Sequence, residues 1–238
     1  MSVRRPTGLR ERKKQATRLA ISDVATRLFI ARGFDAVTVA EVAEAANVSV
    51  NTIFNYFATK EELFFDRGEE LLAAPSQVIR ERAPGQSAVA ALHQRFRGLL
   101  ADEEGLLFRK SLRRFVATIE ASPALKARER LLADESQARL AATLRAESAD
   151  ASDEATAAAA AAMVAGLWWL LLQEFRVRLL RGDDERQTHA ALSRLGERGF
   201  TLLAAGVGDY CTRPAAASAA VAASAAPAKR RSRKKSSV

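Results

Sequence analysis

Two short predicted helices joined by a tight turn constrain the fold of this chain more than any other feature. Residues 38–41, Thr-Val-Ala-Glu, have the form of a capping box, in which the N-cap hydroxyl and the N3 carboxylate each accept the other residue's backbone N–H. Asn47 stands where a tight turn needs a left-handed residue, and Ser49 can cap a second helix over 50–56. This spacing is that of a helix-turn-helix. From spacing alone, DNA binding and three generic packed helices are equal alternatives.

Helical periodicity continues on both sides of this motif. Apolar residues recur at helical spacing from 9 to 31, and Gly33 is placed to end that helix as a C-cap. A second capping box, Thr59 to Glu62, opens a further helix, and breaks are expected at Pro75 and at Pro84. Later helices are predicted over 87–100, 105–118, 123–146, 154–181 and 185–205. Because strand-type alternation is absent, the sequence predicts an all-α chain.

The positive charge is concentrated at the two ends of the chain. Residues 1–18 hold seven Lys or Arg against one Glu, and the tail from Lys229 holds six basic residues and no acid. Of the total net charge of +9, residues 19–228 therefore carry −3. Positive ends on a mildly acidic body indicate a polyanionic partner, either a nucleic acid or an anionic membrane surface. The Ala/Ser-rich segment 213–238 is too low in complexity to build a core and is expected to be disordered.

Composition argues against several classes of protein. The single cysteine, Cys211, excludes an intrachain disulfide, and His93 and His189 lie too far apart in sequence to suggest a metal site. No motif predicts a cofactor, and no paired carboxylates or phosphate-binding glycine loop support an enzyme. The N-terminal residues lack the apolar region of a secretory signal, so a cytoplasmic protein is expected, and DNA binding would place it on the nucleoid.

One segment approaches the length of a membrane span. Residues 155–173 carry no charge, but about half of them are alanine, and Glu174, Arg176 and Arg178 follow at once. A helix that is apolar all round is also what the centre of a helical bundle requires. We therefore expect a buried or interface helix rather than a membrane span.

Residues 9–71 resemble the DNA-binding domain of the TetR family of bacterial transcriptional regulators. The resemblance rests on LFIARGFDAVTVAEVAEAANVSVNTIFNYFATKEEL, residues 28–63, with its Arg-Gly-Phe, Phe-x-Tyr-Phe and Lys-Glu-Glu-Leu elements. Asn47 and Asn51 depart from the small residues usual in the family, so the base preference does not follow from the resemblance. Beyond residue 71 only the helical architecture is shared.

The resemblance implies a set of DNA-contacting residues. Thr38, Ser49, Tyr56 and Lys60 would meet phosphates, while Ile53, Phe54 and Phe57 would be core residues that hold the recognition helix. Base edges in the major groove would be met by the outer face of that helix, at Val50, Asn51, Thr52 and Asn55. Arg4 and Arg5 precede the first helix and would reach a minor groove.

The resemblance also implies an organisation for the whole chain. A basic arm (1–8) and a helix-turn-helix domain (9–72) would precede a helical regulatory and dimerisation domain (73–212) and the tail (213–238). The last two helices would form the homodimer interface on a near-palindromic operator, and a small-molecule effector would release a repressor. The candidate pocket residues are His93, Phe96, Phe108, Phe115, Trp168 and Gln173. The alternatives are an architectural DNA-binding protein that uses both basic ends and, more weakly, an enzyme.

Overall fold

The fold is built from helices throughout the part of the chain that the structure describes. The computed structural model describes residues 8–66, 68–101, 110–148, 154–208 and 212. Within these ranges there is no strand, and the prediction of an all-α chain is confirmed. The helices are α1 (Leu9–Arg32), α2 (Val39–Ala45), α3 (Val50–Phe54), α4 (Lys60–Phe64), α5 (Gly68–Glu81), α6 (Ala88–Ala101), α7 (Lys110–Ala121), α8 (Pro123–Glu147), α9 (Glu154–Arg181) and α10 (Glu185–Val207).

The turn between α2 and α3 forms as its residue types predict. Thr38 and Glu41 make the full capping box at the start of α2, and Ser49 caps α3 by accepting the backbone N–H of Thr52. Asn47 lies in the left-handed region at φ 52°, and Gly33 ends α1 at φ 88°. These local bonds fix the path of the chain before any tertiary contact is considered.

Two local predictions were wrong. The second helix of the motif ends at Phe54 rather than at residue 56, because the Tyr56 N–H turns back to the Ile53 carbonyl and tightens the last turn. At the start of α4, the Glu62 carboxylate accepts from Ala58 N–H and not from the N-cap Thr59. The Thr59 side chain still caps the helix by accepting the Glu62 N–H.

The expected break at Pro75 was also wrong, since α5 runs through it. Proline inside a helix removes one hydrogen bond and costs about 3 kcal/mol. Val78 and Ile79, one turn further on, pack into the core formed with α6, α8, α9 and α10, and this burial offsets part of that cost. The expected domain boundary at 72/73 therefore lies inside a continuous helix.

The core beneath the helix-turn-helix is shared with helices α7 and α8. Phe29, Val42, Ile53 and Phe57 are buried in one apolar cluster from α1 to α4 and the turns between them. Helices α7 and α8 complete this cluster with Phe115, Ile119, Leu125 and Leu132. The helix-turn-helix is thus fixed directly onto the α7–α8 corner.

A second core holds α5, α6, α8, α9 and α10 together. Its helices approach closely at two glycines of α10: a Cβ at Gly196 would lie 2.2 Å from the Phe96 ring, and one at Gly199 would lie 2.3 Å from Leu167. Since real Cβ atoms essentially never come that close, the side chains of α6 and α9 occupy the space that these glycines leave.

A buried ion pair joins α8 to α9. Arg176 is 5% exposed and Glu129 is 8% exposed, and the guanidinium donates to both carboxylate oxygens, with 2.8 Å between Nη1 and Oε2. Glu120 at the end of α7 lies 3.7 Å from the same Nη1. Buried charges of opposite sign are tolerated when they are paired in this way, although the buried Nε of Arg176 has no hydrogen-bond partner among the described residues.

α9 is long and apolar enough to cross a membrane by length and composition alone. Core helices of soluble proteins pass the same test, and α9 packs along α8 and α10 in the bundle. Its buried positions include Ala157, Val164 and Leu171.

Candidate nucleic-acid interface

An open groove runs between the first turns of α1 and the end of the recognition helix α3. It has one basic wall and one polar wall, and it is lined by Gly8, Arg10, Glu11, Lys13, Lys14, Thr17, Thr52, Asn55 and Tyr56. Lys and Arg side chains neutralise phosphates, while amides and hydroxyls bond to base edges. The groove therefore has the two kinds of chemistry that a DNA duplex requires.

The basic wall is a set of residues that the sequence analysis did not single out. Arg10, Lys13, Lys14 and Thr17 are spaced i, i+3, i+4 and i+7, so they lie on one face of α1. The sequence predicted the positive charge of this region but not its placement on one face of α1. The helical periodicity of α1 was the signal that could have located them.

The start of α3 presents its short side chains outward. Val50 and Asn51 are exposed, and Ser49 and Thr52 are joined by a hydroxyl–hydroxyl bond of 2.8 Å. Asn55 is exposed next to the half-buried Tyr56, at the base of the groove. The four residues predicted to face base edges thus lie on or beside one short helix.

Phe54 was predicted to be a core residue, and this was wrong. Its side chain is 52% exposed, whereas Ile53 and Phe57 are each 1% exposed, as predicted. The Phe57 N–H bonds to the Ile53 carbonyl at 2.9 Å, which keeps these two residues on one side of the segment, while position 54 points about 100° away from position 53. Phe54 instead lies one turn beyond the exposed Val50, so the two form an apolar patch on the outer surface of α3.

Lys60 is turned toward the protein interior. Its Nζ donates to the Phe34 carbonyl at 2.6 Å and lies 4.3 Å from the centroid of the Phe34 ring. This ammonium group anchors the start of α4 to the turn that follows α1. The phosphate contact expected for Lys60 would require these interactions to be exchanged.

Thr38 is an exposed N-cap whose hydroxyl already has a partner. It accepts from Glu41 N–H at 3.2 Å and donates to the Glu41 carboxylate at 2.9 Å. The backbone N–H of Thr38 and the Arg32 guanidinium lower the pKa of Glu41 to about 2. The charged form of Glu41 therefore stabilises the start of α2.

We expect this cap to give a distinct pH dependence. The folded-state pKa of Glu41 lies below its ordinary value of 4.5, so its contribution to stability is complete above pH 4.5 and is lost as the pH falls toward 2. Thermal melting should show wild type more stable than Glu41→Gln at neutral pH, with the difference shrinking below pH 4.5. Glu44→Gln on the same helix is the control, and an equal pH response in both variants would contradict the prediction.

The candidate pocket residues separate into two groups. Phe96 and Trp168 meet edge-to-face at 6.2 Å, and both contact Phe200, on which the His93 ring stacks at 4.7 Å. Phe115 lies in the other core, stacked on Phe64 at 4.4 Å. Gln173 belongs to neither group and is half-buried on α9. The candidate pocket residue Phe108 lies outside the described residues, as do Arg4 and Arg5 of the predicted DNA-contacting set.

Comparison with known proteins agrees with this architecture. A helical protein with a helix-turn-helix and a basic groove beside its recognition helix belongs to the class of DNA-binding regulators. Residues 21–66 match the family described as bacterial regulatory proteins, tetR family. The chain is 31% identical to the HTH-type transcriptional regulator TcmR of Streptomyces glaucescens over 156 residues, which cover 62% of this chain and 67% of TcmR.

Two further matches agree. MftR, a transcriptional regulator of Mycobacterium tuberculosis, is 45% identical over 49 residues, which are 21% of this chain and 25% of MftR. The crystal structure of NalD from Pseudomonas aeruginosa, the secondary repressor of a multidrug efflux pump, has the same fold, with a TM-score of 0.50 and 18% identity. That superposition covers 78% of this chain and 97% of NalD.

The chain belongs to the TetR family and is a DNA-binding transcriptional regulator. Proteins of this family act on double-stranded DNA in the cytoplasm and are not enzymes.

Proposed function

We propose that the protein is a homodimeric repressor that binds a near-palindromic operator and is released by a small-molecule effector. The observation that carries this proposal is the groove in which Lys13 and Lys14 of α1 face Thr52 and Asn55 of α3. A phosphate strand held by the lysines would leave the outer face of α3 against the base edges of the adjacent major groove.

The residues of the interface have separate roles in this proposal. Asn51 and Asn55 offer amides that can bond adenine, and the apolar patch of Val50 and Phe54 can meet thymine methyl groups. The residues proposed to meet phosphates are Thr38, Ser49, Tyr56 and, once released from the Phe34 carbonyl, Lys60. Arg4 and Arg5 would add minor-groove contacts from the arm that precedes α1.

An exposed apolar stripe on α9 and α10 supports the homodimer. Met163, Leu170 and Val177 of α9 are 45%, 51% and 41% exposed, and Leu202 of α10 is 67% exposed. The exposed Gly166 lies on the same face of α9, where it permits close approach of a second helix. Exposed apolar residues grouped in this way favour an interface with another protein. Two-fold pairing would present two recognition helices to the two halves of one operator.

The aromatic cluster of His93, Phe96 and Trp168 is the proposed contact region for an effector. The indole N–H of Trp168 is buried and has no acceptor among the described residues, so a ligand carbonyl or hydroxyl could bond to it. An effector would release the operator only as far as it binds the DNA-incompatible arrangement more tightly than the other.

The proposal is tested by selecting operators from a random duplex library with the full-length protein. Enriched duplexes should share two inverted half-sites, and gel-shift titration should show preference for them over scrambled duplexes as the salt is raised. If no sequence were enriched, or if the preference vanished with added salt, the protein would be a non-specific architectural DNA binder instead.

We expect Lys13→Ala combined with Lys14→Ala to reduce the salt dependence of operator binding. Each lost phosphate contact should reduce the slope of log K against log salt by about 0.9. The order of preference among operator sequences should stay unchanged, because phosphate contacts carry no base information. Lys126→Ala on α8 is the control, and an equal slope change in that variant would show that the groove has no special role.

A further inference from the structure

Arg18 of α1 connects three parts of the DNA-binding end. Its Nε donates to the Asp66 carboxylate at 2.6 Å, and its Nη1 donates to the Tyr56 carbonyl at 2.8 Å. The guanidinium also lies 4.6 Å from the centroid of the Phe57 ring. One arginine side chain can contact all three partners, because its planar guanidinium has several N–H donors and a face that packs on an aromatic ring.

Two partners of Arg18 lie where the recognition segment ends and where the chain enters helix α5. Tyr56 is the residue with which the recognition segment leaves the groove, two residues after α3 ends. Asp66 follows α4 and lies two residues before the start of α5. Helix α5 leads the chain into the second core, which it forms with α6, α8, α9 and α10. Arg18 thus joins the end of the recognition segment to the point at which the chain enters helices α5–α10, the proposed regulatory domain.

The bond to Asp66 is well placed to hold a fixed geometry. The Asp66 side chain is only 4% exposed, while that of Arg18 is 31% exposed. A carboxylate taken out of water needs a charged or hydrogen-bonding partner, so an alternative position without Arg18 is costly. One turn further along α1, Ser22 donates to the Leu63 carbonyl at 3.2 Å and holds the preceding turn of α4 to the same face.

We propose that Arg18 is a positioning residue that sets the distance and angle between the two recognition helices of the dimer, and hence the half-site spacing that the protein accepts. This inference rests on the proposed function. Arg18 acts here through Tyr56 and Asp66 and need not touch DNA. When its bonds are removed, each helix-turn-helix gains freedom to tilt relative to its regulatory body, and operators of the wrong spacing are tolerated better.

The experiment measures binding to operators whose half-sites have been moved apart. The selected operator is synthesised with one base pair added to or removed from its centre, which shifts the half-sites by about 3.4 Å and about 34°. For wild type we expect this change to weaken binding about 30-fold, and for Arg18→Gln only about threefold. A merely structural loss would weaken binding to all three operators by one common factor.

Two further variants separate the possible outcomes. Asp66→Asn removes the same ion pair with an isosteric side chain, and it should relax the spacing preference in the same direction even if Arg18→Gln folds poorly. Arg32→Gln is the matched control, because it removes an arginine from the same helix and an ion pair to Glu41 at 2.6 Å. Its spacing penalty should equal that of wild type.

Equal spacing penalties in wild type, Arg18→Gln and Asp66→Asn would overturn the positioning role and leave the proposed function intact. A wild-type protein that selects no operator would overturn both.

Discussion

Leu170→Glu is expected to convert the protein from a dimer into a monomer and to weaken operator binding about 100-fold, since a second half-site adds a factor of this order through effective concentration. Leu170 is 51% exposed on the apolar stripe of α9. Two-fold pairing of this stripe would bring two introduced carboxylates together in an apolar interface, where an unpaired charge is costly. Light scattering during gel filtration gives the mass, and gel-shift titration gives the affinity.

Leu131→Glu is the matched control for this experiment. Leu131 is 55% exposed on α8 and is not one of the stripe's residues, so the same change in size and charge should leave mass and affinity unchanged. A Leu170→Glu protein that remained dimeric would place the interface elsewhere on the molecule. The melting temperature of Leu131→Glu should stay near that of wild type because Leu131 is not buried, whereas that of Leu170→Glu should fall by the stabilisation that dimerisation supplies.

Arg176→Met is expected to cost about 3–5 kcal/mol of the free energy of unfolding, because it leaves the Glu129 carboxylate buried without its main partner. The pair joins α8 to α9, and both residues are buried, with side-chain exposures of 6% for Arg176 and 11% for Glu129. Urea denaturation measures the loss. All variants are measured at one protein concentration, because dimerisation adds to the apparent stability and must contribute equally to each of them.

The double variant Arg176→Met with Glu129→Leu provides the decisive comparison. Replacing a buried ion pair by apolar side chains of similar volume is often neutral or stabilising, so most of the lost stability should return. Arg139→Met breaks an exposed pair with Glu135 on α8 and should cost no more than about 1 kcal/mol. A double variant no more stable than Arg176→Met would show that the cost lies in packing rather than in the stranded charge.

The sequence was sufficient where local bonds determine the structure. The cap residues Thr38 and Ser49, the left-handed Asn47 and the stop at Gly33 each act within a few residues of themselves. Their positions therefore follow from residue type, and with them the helix-turn-helix. Helix α9 was predicted over its full length because a polar break precedes it and Gly182 follows it.

The sequence was insufficient where a side chain had several possible partners. Phe54 and Phe57 are the same residue type three positions apart, and the burial of Ile53 and Phe57 on one side of the segment leaves Phe54 facing water. Lys60 carries a motif that implies phosphate binding, yet the nearby Phe34 carbonyl and ring hold its ammonium group inward. Phe115 stacks on Phe64, which is distant in sequence, and no local pattern indicates that contact.

The shared core under the helix-turn-helix has a consequence for how this protein can be cut and recombined. Ile119, Leu125 and Leu132 lie far along the chain, yet they are buried in the same cluster as the recognition helix's own anchor, Ile53. A helix-turn-helix domain cut from the chain near residue 72 would expose that apolar surface to water. The unit that could be exchanged between regulators is therefore discontinuous in sequence, and it must include the α7–α8 corner.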